Sequence, residues 1–255
     1  MTALPCGMVT PMCTPEEDWP QAGRDRLIVP APVGRIGTPD EIDEEAILAR
    51  LSPNVVCMMG DNPALPRMPD KPTLLDFFRH RFGTITFRHL LCSARRALRG
   101  GHDEKIVMAC LLHDIANGCL IRADHGYWGA QLIAPYVDEE VAWAVQYHQP
   151  LRYFADESVG YEYPESYKAF FGPDYVPPAY LQRDAEIARN HKWYMSARLV
   201  TINDIYFFEE EDVPEPEFFE DIIGRNFRQP EEGLGFDTSP TAHMWRTMIW
   251  PNNFL

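Results

Sequence analysis

Ile106-Val107-Met108-Ala109-Cys110-Leu111-Leu112-His113-Asp114 is an apolar run that ends on an imidazole and a carboxylate side by side. Burying such a pair without partners costs roughly 2–7 kcal/mol per polar group. A divalent metal removes that cost, because neutral imidazole nitrogens and carboxylate oxygens are its usual ligands. The run reads as a helix from Asp103 to about Ala116, and the chain around it supplies further polar residues of the same kind: His89 upstream, and His125, His148 and Asp204 downstream.

Helical periodicity turns these residues toward one interior. Over 191–208, Trp193, Ala197, Val200, Asp204 and Phe207 fall on one stripe, so Asp204 faces the core, where a lone carboxylate is disfavoured. Val141, Ala144, Val145 and His148 share a face in the same way, as do Val107, Leu111 and Asp114. Each residue also has a plainer reading: an inward His as a hydrogen-bonded core residue, an inward Asp as a cap, His125 as a loop residue between Asp124 and Gly126. Six such coincidences at once point instead to a metal site. His80, His102, His191 and His243 lack this context and read as surface or structural.

The rest of the chain reads as all-α. Residues 1 to about 40 form a Pro- and Gly-rich arm, Thr38-Pro39-Asp40-Glu41 starts a short helix reaching Leu51, and 52–72 is Pro-rich loop. The organisation expected is an arm over 1–72, a metal-binding core over 73–208 and an extension over 209–255. Within the core, helices are expected over Thr73–Arg81, Thr86–Arg99 (stopped by Gly100-Gly101), Asp124–Tyr136, Asp138 to Pro150, Leu181–Asn190 and His191–Phe208, with mainly loop over Tyr161–Pro178. Glu217–Ile223 is a further short helix, and Gly224–Leu255 shows no clear period. Its aromatic and methionine residues, Trp245, Trp250, Phe254, Met244 and Met248, read as core packing, with closure over the site or a subunit contact as alternatives.

Composition sets limits. The 255 residues, 45% of them hydrophobic, suffice for a sizeable core. A formal net charge of −15 repels phosphate backbones and anionic lipid, so nucleic acid and membrane are not expected partners. The six cysteines form no C-x-x-C pair, and no leader or membrane-spanning run is evident; a reducing, cytoplasmic setting is the simplest expectation.

The pattern His89 … His113-Asp114 … Asp204 resembles the HD-domain superfamily of metal-dependent phosphohydrolases, over roughly Leu74 to Phe208. His125 and His148 resemble the extra ligands of its dinuclear members. Phe82-Gly83-Thr84-Ile85-Thr86-Phe87-Arg88-His89 looks like the stretch before the first histidine in the phosphonate-type oxygenases, which with myo-inositol oxygenase make up the mixed-valent diiron branch. The resemblance implies a helical bundle in which His89, His113, Asp114 and Asp204 hold one iron and His125 and His148 the second, with Asp114 bridging. It implies an Fe(II)/Fe(III) pair, with Mn as an alternative, acting on a small anionic substrate and dioxygen. Arg152, four residues after His148, falls where those enzymes place a substrate-binding lysine; the alternative for it is a surface ion pair. On this reading Asp114 and Arg152 are the catalytic residues.

A second reading is a dinuclear phosphohydrolase acting on a nucleotide or phosphate ester, which needs several cations near the site. Arg95, Arg96 and Arg99 are candidates, although they read more simply as a solvated helix face; Arg122 is another. A third is a non-catalytic, metal-stabilised scaffold or nucleotide sensor, against which the complete ligand set argues. The sequence leaves the oligomeric state open.

Overall fold

The computed structural model describes residues 66–82, 84–119, 123–204 and 213–250, which belong to one compact unit. The expected arm and helix before residue 66, Arg122, Phe207, Glu209–Asp212 and Phe254 lie outside the described residues. Among those residues the chain is helical, with no strand and a single isolated bridge between Asp156 and Tyr161.

The order is α1 (Leu74–His80), α2 (Thr84–Arg99), α3 (Glu104–Leu112), α4 (Ile115–Cys119), α5 (His125–Ile133), α6 (Glu139–Leu151), α7 (Glu165–Phe171), α8 (Ala179–Arg189), α9 (Tyr194–Asn203), α10 (Glu220–Asn226) and α11 (Ala242–Ile249). Single 3₁₀ turns cover Glu157–Val159 and Pro216–Phe219.

α3 is the central element. Every residue from Ile106 to Leu112 is buried, as expected for a helix that is apolar all round, and it packs against α2, α6, α9 and α10. α6 in turn packs on α5, α8 and α9. Local chemistry sets the ends. Thr73 and Asp76 form a capping box on α1, and Asp103 and Asp138 cap α3 and α6 through their side chains. α2 stops in a Schellman turn: His102 N–H reaches Ala97 O at 3.1 Å, with Gly101 at φ +71 in the left-handed region open to glycine.

Four expectations change. The helix read over 103–116 is interrupted: α3 ends at Leu112, and His113 and Asp114 form the turn before α4. The last core helix starts at Tyr194 rather than His191, and Asp204 is its C-cap, not an interior residue. Pro150, expected to end its helix, lies inside α6. Arg95, expected on a solvated face, is buried, because α2 is covered by α3, α4 and α9; Arg99 alone of the three is fully exposed.

The C-terminal segment carries α11, which the aperiodic reading missed. Its stripe Ala242, Trp245, Met248 and Ile249 is buried but spans only two turns, too few for a period to register. Trp245 packs edge-on to Phe77 at 4.8 Å, and its indole N–H, like the Thr241 hydroxyl, donates to Leu132 O. The segment is therefore core packing. Gly233, at φ +95, lies so close to Lys71 that a Cβ there would meet its Cα at 2.6 Å.

Among the described residues no helix is long and apolar enough to cross a membrane.

Candidate metal centre

The six polar residues named from the sequence come together. His89 arrives from α2, His113 and Asp114 from the turn after α3, His125 from the first residue of α5, His148 from the last turns of α6 and Asp204 from the end of α9. All six are buried. Their ligand atoms form three overlapping groups that could hold a metal ion: His89, His113 and Asp114; His113, His148 and Asp204; and Asp114, His125 and His148.

His89 Nε2 lies 2.9 Å from His113 Nε2 and 3.0 Å from Asp204 Oδ1. His125 Nε2 lies 3.1 Å from Asp114 Oδ1, and His148 Nε2 lies 3.7 Å from the same oxygen. The other Asp114 oxygen, Oδ2, is 3.8 Å from His89 Nε2. Asp114 thus presents one oxygen to His125 and His148 and the other to His89, and its Oδ2 also accepts from Asn117 Nδ2 at 3.3 Å.

Two local features aim the imidazoles. His113 Nδ1 donates to Cys110 O at 2.8 Å, and His148 Nδ1 donates to Val145 O at 2.6 Å. A carbonyl only accepts, so the proton of each neutral ring sits on Nδ1 and the lone pair of Nε2 points into the cluster. Such backbone anchoring of the far nitrogen is the usual support of a metal-bound histidine.

The donor set fits a cation. Asp114 Oδ1, His148 Nε2 and both Asp204 oxygens have no hydrogen-bond partner among the described residues, although His89 Nε2 approaches Asp204 Oδ1 to 3.0 Å as an ion-pair contact. Each orphaned group costs about 1–3 kcal/mol if left so. A cation bound octahedrally at about 2.1 Å holds adjacent donors about 3.0 Å apart, close to the 2.9, 3.0 and 3.1 Å separations here.

Electrostatics agree in direction. Burial pulls the His148 imidazole down to about 4, and neighbouring His113 and His125 add to the effect. Burial alone would also lower His113, yet Asp114 and Asp204 raise it. Burial works against both carboxylates, but His113 and His125 hold Asp114, and Arg152 with the imidazoles holds Asp204, well below the usual range.

Arg152 is not on the surface. It is buried at the C-cap of α6, with Nη1 3.3 Å from His125 Nε2, Nη2 3.9 Å from Asp204 Oδ2 and Nε donating to the Tyr167 hydroxyl. Tyr161 donates to Arg152 O at 2.9 Å, and Arg198, fully buried on α9, donates to Leu151 O and Phe154 O while lying 4.8 Å over the Tyr161 ring. Sequence reasoning named none of Tyr161, Tyr167, Arg198 and Asn117. Only Asn117, three residues after Asp114, carried a usable spacing signal.

His125 depends on a tight crossing. Asp124, the one non-glycine residue at positive φ among those described (φ 51), turns the chain into α5. Gly126 follows, and a Cβ there would sit 2.8 Å from Gln146 O. Pro150 has no N–H to give that carbonyl, so the α5 backbone occupies the space instead. Gly126→Ala is therefore expected to push α5 off α6, costing about 1–3 kcal/mol and weakening metal binding through His125. Thermal denaturation and metal content check it; a variant equal to the wild type in both would contradict the crossing.

No family model matches the chain, and no curated protein was found to match it.

Proposed function

We propose that this chain is an HD-domain diiron oxygenase that cleaves a C–C or C–heteroatom bond beside the hydroxyl-bearing carbon of a small anionic substrate. The observation that carries the reading is the shared carboxylate: Asp114 turns Oδ1 toward His113, His125 and His148 and Oδ2 toward His89, in a buried set of four His and two Asp. A donor set this rich in nitrogen suits Fe or Mn better than Ca or Mg, which prefer oxygen shells. Bound there, an iron pair would supply the one-electron chemistry and dioxygen activation that protein side chains lack.

The chain's own residues do the rest. His89, His113, Asp114 and Asp204 would hold one iron, and His125, His148 and Asp114 the other. A cavity of about 320 Å³ opens on His125 and Arg152 and is walled by Tyr153, Tyr167, Phe171 and Tyr175. These rings exclude water from the reacting bond, and Arg152 binds the anionic group of the substrate with a planar fork of donors. Tyr167, as acceptor from Nε, fixes the direction of that fork. Arg152 is the one cationic residue lining the cavity among the described residues.

Loading with iron is expected to give about two ions per chain, and partial oxidation a paramagnetic resonance signal below g of two. Dioxygen uptake with a panel of hydroxy acids tests the reaction. Hydrolysis of nucleotides or a generic phosphate ester by protein lacking that signal and that uptake would replace this reading with the phosphohydrolase one. Arg152→Leu is expected to keep the metal and raise KM more than tenfold, with Arg152→Lys recovering part of the loss; unchanged KM would remove Arg152 from substrate binding.

A further inference from the structure

Two cavities lie side by side at this end of the bundle. The first is the one that opens on His125 and Arg152; the second, of about 300 Å³, lies between α5, α6 and α8. They share Asp124, Gln149, Tyr180 and Leu181, so the first turn of α8 is a common wall. Tyr180 is held in that wall by its hydroxyl, which donates to Asp124 Oδ1 at 2.7 Å.

The second cavity differs in chemistry from the first. Its walls include Tyr127, Trp128, Tyr147 and Pro150, and it contains no cationic residue among those described. Tyr127 and Trp128 are 47% and 37% exposed, so two aromatic rings of this cavity face water beside a buried polar centre. Its charged lining residues are Asp124 and Asp184, both acids. A second anionic group is repelled there, whereas an alkyl or aryl group gains contact with rings.

We propose that the second cavity is a subsite for an apolar tail, so that the substrate is an amphiphilic anion: a hydroxyl-bearing anionic head at Arg152 and the metals, and an alkyl or aryl tail passing Tyr180 onto Trp128. The proposal rests on the metal-centred reading above for the head and on the second cavity alone for the tail.

Titration calorimetry of the metal-loaded full chain with pentanoate, heptanoate and nonanoate tests it. Affinity is expected to rise by about fourfold for each methylene that enters the subsite. Azelate, as long as nonanoate but charged at both ends, is expected to bind at least tenfold more weakly than nonanoate. In Trp128→Glu the gain with chain length is expected to flatten, a ratio within one variant that a loss of folded protein does not imitate. Equal affinity across the series, azelate as tight as nonanoate, or an unchanged length dependence in Trp128→Glu overturns the tail subsite. If none of the acids binds, the metal-centred head reading fails, and 1-octanol then decides the tail alone. A shift of the Trp128 indole N–H resonance supports the subsite, and no shift ends it.

Discussion

Asp114→Ala is expected to strip both metals, taking content measured by plasma mass spectrometry from about two per chain to near zero and abolishing turnover. Its carboxylate is the element common to both halves, 3.1 Å from His125 through one oxygen and 3.8 Å from His89 through the other. Asp114→Asn sharpens the test, since an amide offers one neutral oxygen and cannot span two cations; one metal at most should remain. His89→Ala removes a donor from one half only and should leave the His125–His148 half partly loaded. Because His113 and His125 hold the buried Asp114 carboxylate in its charged form, Asp114→Ala is expected to lower the metal-free Tm as well, and to lose the further rise in Tm that metal gives the wild type. Full metal content in the alanine variant would refute the shared role.

Chelation of the wild type is expected to lower Tm by roughly 8–16 °C. A ligand at about a thousand times its Kd contributes about 4 kcal/mol, and each kcal/mol moves Tm by about 2–4 °C in a domain of this size. The measurement is a denaturation scan with and without chelator; a shift within error would mean that the cluster closes on itself without a cation. Acid should act in the same direction. An unfolded histidine takes a proton near its ordinary pKa of about 6.5, whereas buried His148 resists until about 4. Between those values the unfolded chain binds more protons, so lowering the pH across that window destabilises the metal-free fold. Asp114 and Asp204, held low, contribute stability above their unfolded values that is lost only at still lower pH, as each folded carboxylate is finally protonated.

The six residues of the cluster were legible because chemistry and period coincide in them. The apolar run 106–112 could only be an interior helix, and a His-Asp pair closing it had to converge on something. Of the stripe Trp193, Ala197, Val200, Asp204 and Phe207, the middle three are buried, Trp193 is half-buried just before α9, and Phe207 lies outside the described residues. What periodicity could not give was the break at His113, because the apolar pattern continues through Ile115 and Ala116 and His113 itself keeps helical backbone angles. Nor did it give Tyr167 and Arg198. Tyr167 lies in a stretch rich in Gly, Pro and aromatic residues, where no period survives. Arg198 is a fully buried cation whose Nη1 donates to carbonyls of Leu151 and Phe154 and whose Nε lies 3.6 Å from Asp156, partners that only the tertiary fold brings to it. Arg95 misled for a related reason: it lies on the side of α2 that neighbouring helices cover, while Arg99 one turn on stays exposed, and the spacing of charges along the helix does not say which side is covered.

The crossing of α5 and α6 joins two positions into a single evolutionary unit. Restoring an amide at Pro150 would let the helix reclaim the Gln146 carbonyl, and the groove that receives Gly126 would narrow. A bulkier residue at Gly126 is tolerable only if α6 opens by the same amount. Relatives of this chain should accordingly exchange the two residues together or not at all, so that covariation between them would report the presence of a working His125 in sequences whose overall similarity is too faint to align.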